Sequence, residues 1–142
     1  MHQIIYMSAA TEPFNDEALA ELLELARTRN AEKDISGMLL YHEGSFIQVL
    51  EGPEQAVRQT YQLVSKDPRH NDVQVLFQGD IEERSFGEWS MGYVPARNIR
   101  DVPEGFHPFL VSGFRRNDDT PTMARKAMLA FKGGRWRSSI AA

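Results

Sequence analysis

Three polar side chains at inward-facing positions point most directly to chemistry in this chain. Tyr6 lies in the middle of an alternating, β-branched segment, and Gln48 lies between apolar neighbours on one face of another such segment. Asn30 follows the apolar stripe of a predicted helix. A buried glutamine must satisfy two donors and an acceptor, or it costs about 1–3 kcal/mol. The pattern therefore predicts a polar partner facing Gln48.

Each of these residues also has a purely structural interpretation. Tyr6 could be a core tyrosine with its hydroxyl at the rim, Gln48 a satisfied structural amide, and Asn30 a helix C-cap. If the strands of Tyr6 and Gln48 are neighbours beneath the first helix, however, all three polar groups converge on one cleft. A phenol and two amides over apolar walls suit a flat, neutral, hydrogen-bonding heterocycle.

A short charged segment follows the second predicted helix, with the sequence Asp67-Pro68-Arg69-His70. Arg69 and His70 could meet a phosphate, and Asp67 could meet a ribityl or ribose hydroxyl. The structural alternative is a turn that ends the helix, because the residue before a proline avoids the helical region.

Hydrophobic periodicity predicts the elements that must position these groups. The predicted strands span 2–8, 34–41, 45–50, 73–81 and 89–94, with Trp89, Met91 and Tyr93 on one face of the last strand. The predicted helices begin at the cap Asn15 and at Pro53. The resulting order β-α-β-β-α-β-β is α+β and ferredoxin-like, with both helices on one face of a five-stranded sheet.

The open sheet face needs a cover, and a third helix is predicted from Thr120 to the Gly133-Gly134 stop. Its expected apolar stripe is Met123, Ala127, Ala130 and Phe131, docked against the last strand. A short helix is also expected near 108–113. We therefore divide the chain into a compact domain over 1–95 and a C-terminal linker and helical extension over 96–142.

Composition excludes several classes of protein. The chain has 142 residues, a net charge of −4 and no cysteine, so disulfides, thiolate nucleophiles and thiolate metal sites are ruled out. We expect a cytoplasmic protein with no metal centre, no membrane span and no nucleic-acid partner.

Residues 115–142 hold seven Lys or Arg against two Asp, and this basic segment is either a solvated face or a surface for self-association or a partner.

The chain resembles the BLUF family, the sensors of blue light using FAD, over roughly residues 2–95. The matching segments occur in the family's order and spacing: Ile5-Tyr6-Met7-Ser8, Arg27-Thr28-Arg29-Asn30, Ser36-Gly37-Met38-Leu39-Leu40-Tyr41, Gly44 to Pro53, Asp67-Pro68-Arg69-His70 and Phe86 to Gly92. The run Phe46-Ile47-Gln48-Val49-Leu50-Glu51-Gly52 is the most specific of them. Asp34 and Ser36 depart from the glycine and threonine common in the family, which bears on that loop alone.

The resemblance implies a role for each candidate residue. Tyr6 matches the photochemical electron and proton donor, and Gln48 matches the glutamine whose hydrogen bonds switch to give a reversible red shift. Asn30 matches a ligand of the flavin's pyrimidine edge. The remaining matches are Asp67, Arg69 and His70 near the ribityl and phosphate groups, and Trp89 and Met91 as residues that respond to Gln48.

The same resemblance implies a photoreceptor rather than an enzyme, signalling to a downstream protein or through a homo-oligomer. Three alternatives use the same topology. An acylphosphatase-like hydrolase needs an anion-binding loop, but residues 7–14 contain no Arg, Lys or Gly. An RNA-binding module needs a basic sheet face, which the net acidic charge of residues 1–114 disfavours. A ferredoxin-like module for another ligand is the third.

Overall fold

A computed structural model describes residues 1–87, 90–95, 100, 102, 104–110 and 114–133, apart from the side chains of 94, 95 and 131–133. Its strands are β1 (His2–Ala10), β2 (Ser36–His42), β3 (Ser45–Gly52), β4 (His70–Asp80) and β5 (Gly92–Pro95). Its helices are α1 (Asp16–Glu32), α2 (Glu54–Ser65), α3 (His107–Leu110) and α4 (Thr120–Gly133), with a 3₁₀ turn at Glu104–Phe106. The predicted α+β, ferredoxin-like class is confirmed.

The five strands form one sheet in the order β4-β1-β3-β2-β5. The pairs are antiparallel except for β2 and β5, which run parallel. β1 and β3 therefore lie side by side in the middle of the sheet. Tyr6 and Gln48, one on each of these strands, share the face that lies below the helices, as the sequence predicts.

Alternation along the strands creates two cores, one on each face of the sheet. Ile4 and Tyr6 of β1 pack with Leu19 and Leu23 of α1 and with Val57 of α2. On the opposite face the core joins strand residues to the C-terminal part of the chain. Its buried members include Ile5, Met38, Leu40, Ile47, Val49, Phe106, Phe109, Ala124, Ala127 and Met128.

Local chemistry fixes the ends of the elements around the site. The Asn15 side chain caps α1 by accepting a hydrogen bond from Ala18 N at 2.8 Å. Glu43 and Gly44 both have positive φ, at 46° and 83°, as a two-residue type I′ turn between β2 and β3 requires. Gly37 allows β2 to approach β3, since a Cβ there would lie 1.9 Å from Val49 O.

The structure corrects the predicted last strand. β5 begins at Gly92, so Met91 precedes the strand instead of lying in it. Trp89, which was expected to share a strand face with Met91, lies outside the described residues. The physical reason is that pairing with β2 starts at Gly92, opposite Met38.

The structure also corrects the placement of the third predicted helix, α4. Its buried apolar residues are Ala124, Ala127 and Met128, whereas Ala130 is exposed and the Phe131 side chain lies outside the described residues. α4 packs against β4 and the 3₁₀ turn. The helix covers the sheet face opposite α1 and α2, as predicted. Because β4 and β5 are opposite edges of the sheet, its expected docking on the last strand is wrong.

The expected short helix begins one residue earlier than predicted, at His107, and is preceded by the 3₁₀ turn. Together these turns place Phe106 and Phe109 in the second core. Within the described residues, no helix combines the length and apolar character that crossing a membrane requires.

Candidate functional site

A cleft opens between α1 and α2 above the central strands β1 and β3. Its free space is about 880 Å³, a volume that includes space open to solvent. Six predicted binding residues line it together: Tyr6, Asn30, Gln48, Asp67, Arg69 and His70. The apolar walls come mainly from Phe14, Leu22, Leu25, Ala26, Leu39, Phe46, Leu50, Leu63 and Val64.

Tyr6 and Gln48 form a hydrogen-bonded pair at the base of the cleft. They are register partners on β1 and β3, which places their side chains next to each other on one face. The Tyr6 hydroxyl donates to Gln48 Oε1. The polar partner that the sequence requires for Gln48 is therefore this phenol.

The phenol is held neutral. Burial raises the pKa of Tyr6 far above its usual range, with smaller contributions from nearby Tyr61 and Asp67. The Tyr61 ring packs edge-on against the Tyr6 ring, with centroids 5.4 Å apart. Tyr6 thus keeps its proton over the physiological range and can serve as a hydrogen-bond donor.

The other end of the Gln48 amide faces Met91. Gln48 Nε2 donates to Met91 Sδ at 3.7 Å, and Met91 is fully buried in the same core as Tyr6. Thioether sulfur is a weak acceptor. The three side chains form one chain of hydrogen bonds from a strong donor to a weak acceptor, with a single amide in the middle.

Asn30 is buried near the end of α1 and joins that helix to the segment before β5. Its Nδ2 donates to Ser90 O at 2.8 Å. Lys33 is the C-cap of α1, so the helix-cap alternative for Asn30 is wrong. Within the described residues the Asn30 side-chain oxygen accepts no hydrogen bond, so it can serve a ligand in the cleft as an acceptor.

Asp67 and Arg69 form an ion pair at the mouth of the cleft. Asp67 Oδ1 accepts from Arg69 N at 2.9 Å and from Arg69 Nε at 3.0 Å. These bonds hold the pKa of Asp67 below its usual value and raise the pKa of Arg69. Arg69 remains 45% exposed, so its guanidinium can still reach an anionic group.

His70 ties three elements together beside the cleft. Its Nε2 contacts Val64 O at the end of α2, and its Nδ1 lies 2.8 Å from Ser8 Oγ on β1. A carbonyl can only accept, so Nε2 carries a proton. His70 therefore positions the mouth of the cleft as well as lining it.

Thr60 on α2 also lines the cleft, although the sequence pattern does not predict it. Its Oγ1 is buried without a hydrogen-bond partner among the described residues. A threonine in a helix carries no distinctive sequence signal, so its burial could be found only from the fold. An orphaned hydroxyl at this place fits a site shaped for a polar ligand.

The donor set of the cleft fits a flavin nucleotide. The amides of Asn30 and Gln48 offer both donors and acceptors for the polar edge of a flat ring, and the apolar walls suit its faces. Arg69 is a partly exposed cation, which suits an anionic group. The chemistry of the residues present thus agrees with a neutral heterocycle carrying an anionic tail.

Residues 1–92 match the family model described as BLUF, sensors of blue light using FAD. A photoactivated adenylate cyclase subunit beta-like protein of Euglena gracilis is 36% identical over 101 residues, which are 70% of this chain and 12% of that protein. The blue light- and temperature-regulated antirepressor BluF of Escherichia coli is 33% identical over 88 residues, or 62% of this chain and 22% of that one. The chain thus spans between a tenth and a quarter of the length of these relatives.

Solved structures agree with these sequence matches. The dark-state structure of the BLUF protein BlrB superposes with a TM-score of 0.73 and 26% identity, covering 91% of this chain and 95% of that one. Klebsiella pneumoniae BlrP1 with FMN and cyclic diGMP gives a TM-score of 0.65 and 26% identity, covering 96% of this chain and 35% of that one.

Proposed function

This chain belongs to the BLUF family of blue-light sensors that use FAD, and we propose that Tyr6, Gln48 and Met91 convert absorbed light into a structural signal. The observation that carries the proposal is the continuous hydrogen-bond chain from the Tyr6 hydroxyl through the Gln48 amide to Met91 Sδ. These hydrogen bonds lie at the base of a cleft whose chemistry suits a flavin.

We assign the binding of FAD to the residues that line the cleft. All four of these residues line the cleft. Asn30 would hold the pyrimidine edge, and Asp67, Arg69 and His70 would hold the ribityl and phosphate groups. When bound, the flavin absorbs blue light and becomes an oxidant strong enough to take an electron from a nearby phenol.

Tyr6 would give an electron to the light-excited flavin and a proton to the Gln48 oxygen, its hydrogen-bond partner, and would regain both within the photocycle. Its burial and neutral state suit this role, because an oxidised phenol loses its proton readily to a neighbouring acceptor. Gln48 is hydrogen-bonded to Tyr6 and is therefore placed to sense the change.

Gln48 then changes its hydrogen bonds by rotation or by tautomerisation. In the rotated amide, Oε1 faces Met91, whose thioether carries no proton to donate, so the bond to sulfur is lost. Met91 is freed to move, and Trp89, two residues earlier, responds with it. The switch thus exchanges one set of contacts for another without turnover of any substrate.

We further propose that this cysteine-free chain acts in the cytoplasm as a sensor without catalytic activity of its own. Residues 1–95 form the photosensor, and residues 96–142 form an extension that carries the signal. Several relatives are named as photoactivated adenylate cyclase subunits, which supports an output directed at an effector. The output here runs through a downstream signalling protein or through a homo-oligomer.

Absorption spectroscopy of the purified protein tests this function. We expect a yellow protein whose flavin spectrum shifts to the red under blue light and reverts in darkness. Chromatography of the released cofactor distinguishes FAD from FMN. A Gln48→Leu variant should bind flavin and lose the shift. A colourless protein that cannot be loaded with flavin would instead support a ferredoxin-like module for another ligand.

A further inference from the structure

We infer that Arg27 is a positioning residue of the photocycle, because it holds the backbone of Met91 so that the methionine sulfur meets Gln48. This inference rests on the proposed function of Gln48 and Met91. Arg27 is absent from the cleft lining, so its action on the switch is indirect.

Two side chains of α1 hold consecutive carbonyls of the segment before β5. Arg27 Nε donates to Met91 O at 2.9 Å, and Asn30 Nδ2 donates to Ser90 O at 2.8 Å. Residues three apart lie on the same face of a helix, so both donors reach the segment from one side. A bond from a charged guanidinium is the stronger of the two types.

These bonds matter because sheet pairing does not reach this part of the chain. The ladder between β2 and β5 begins at Gly92, so Ser90 and Met91 precede it. A methionine side chain has three rotatable bonds and adapts readily to a change in its backbone. The position of Met91 Sδ opposite Gln48 Nε2 therefore depends on the contacts that α1 makes with its backbone.

Loss of the Arg27 contact should favour the lit state over the dark state. In the dark arrangement Gln48 donates to the Met91 sulfur, whereas the rotated amide gives that contact up. Loosening Met91 weakens the dark arrangement selectively. The thermal return from the lit state to the dark state should then become slower, while the initial chemistry at Tyr6 is unchanged.

The test compares Arg27→Gln and Arg27→Lys with a matched control, Arg58→Gln, whose arginine is exposed and pairs with Glu54. In flavin-loaded protein we expect dark recovery to slow by roughly tenfold in Arg27→Gln, the size of one lost charge-assisted bond. Arg27→Lys should recover part of the wild-type rate, because lysine still donates to the carbonyl. The control should recover at the wild-type rate.

A double variant separates positioning from general support of the fold. In a Met91→Leu background, Arg27→Gln should change recovery less than twofold, since no sulfur remains to be positioned. If Arg27→Gln slows recovery by the same factor in both backgrounds, the inference is overturned. An unchanged recovery rate in the single variant would also overturn it.

Methyl NMR gives a readout that needs no photocycle. With ¹³C-methyl methionine, the resonance missing from Met91→Leu identifies Met91, and it should move in dark Arg27→Gln but not in Arg58→Gln. An unmoved resonance would overturn the inference. If the wild type shows no red shift, the proposed function fails, whereas the NMR comparison still decides whether Arg27 positions Met91.

Discussion

Tyr6 and Gln48 are direct cross-strand partners on β1 and β3, and the Tyr6 hydroxyl donates to the Gln48 side-chain oxygen. Strand register thus sets which atoms of the two side chains meet. A one-residue slip would turn one of them to the opposite face of the sheet, where the second core lies. The pairing of two central strands therefore fixes the geometry of the proposed switch.

Replacing Tyr6 with phenylalanine should abolish the red-shifted state while flavin stays bound, because the ring still packs but the hydroxyl and its proton are gone. In cofactor-free protein, the buried Gln48 oxygen loses its donor, which should lower the free energy of unfolding by about 1–3 kcal/mol. Light-minus-dark spectra and denaturant unfolding measure the two effects.

Tyr61→Phe is the matched control for that experiment, since its ring contacts Tyr6 and the hydroxyl is removed at a position outside the cleft lining. It should keep the red shift. A full shift in Tyr6→Phe would contradict the assignment of Tyr6.

Asn30→Ala should weaken flavin binding by about 0.5–1.5 kcal/mol, the value of one hydrogen bond, if its free oxygen holds the cofactor. It should also release Ser90 O from α1. Asn30→Asp separates these roles, because it keeps the acceptor and loses the donor. Fluorescence titration of the apoprotein measures affinity, and equal affinity in wild type and Asn30→Ala would limit Asn30 to joining α1 to Ser90.

Much of this site could be predicted from the sequence, because it depends on alternation within single strands. The alternation around Tyr6 and Gln48 predicts that both side chains face inward. The resemblance to the BLUF family predicts that Asn30 and Asp67 belong to the same site, and both line the cleft. The β2–β3 turn at Glu43 and Gly44 follows from turn chemistry alone.

The rest depends on docking between distant elements. Alternation over 89–94 predicts that Met91 lies within a strand, yet pairing with β2 begins only at Gly92. The buried face of α4 follows from its packing against both β4 and the 3₁₀ turn, with Ala124 and Met128 buried and Ala130 exposed. Periodicity predicts that a helix has an apolar face, but it cannot fix the rotation of that helix to within one residue.

The Asp67–Arg69 pair should make stability depend on acid pH. Because Arg69 holds the pKa of Asp67 below its usual 3.8, the pair stabilises the fold above that pH and is lost as pH falls through the lower, folded-state pKa. Asp67→Asn should therefore cost about 0.2–1 kcal/mol at neutral pH, since the pair is partly exposed. The difference from wild type should shrink below about pH 4.

Denaturant unfolding at a series of pH values provides the measurement, with exposed Asp118→Asn as the control. A difference between Asp67→Asn and wild type that stays constant down to the acid limit would show that the ion pair contributes nothing to stability.

A buried carboxylate supports the loop that leads towards Met91. Glu51 is fully buried and accepts hydrogen bonds from Gln3 Nε2 at 3.0 Å, from Ser36 Oγ at 3.2 Å, and from the backbone N–H groups of Ser85 and Phe86. Glu51→Gln replaces one carboxyl oxygen, which accepts hydrogen bonds, with an NH₂ group that can only donate. That NH₂ group would face the donors that now bind Glu51. The free energy of unfolding should fall by about 3 kcal/mol or more.

Exposed Glu54→Gln is the control for Glu51→Gln and should change stability by less than about 0.5 kcal/mol. Thermal unfolding of both variants provides the comparison. Equal stability of Glu51→Gln and wild type would mean that the loop gains nothing from the charge.

Gly105→Ala tests whether α4 carries the signal outward. A Cβ at Gly105 would lie 2.9 Å from both Cα and Cβ of Ala127, so α4 must move away from the 3₁₀ turn. The cost should be about 1–3 kcal/mol, as for other overpacked cores. Truncation before α4 is harsher, because it would uncover the second core around Phe106.

We expect Gly105→Ala to keep flavin and the red shift, since the turn lies on the sheet face opposite the cleft. Its assembly, or the change in assembly under light, should differ from that of wild type in size-exclusion chromatography run in darkness and under blue light. Lys126→Ala, on the exposed side of α4, is the control and should behave as wild type. If Gly105→Ala matches wild type in both states, α4 serves to cover the sheet and the output leaves by another surface.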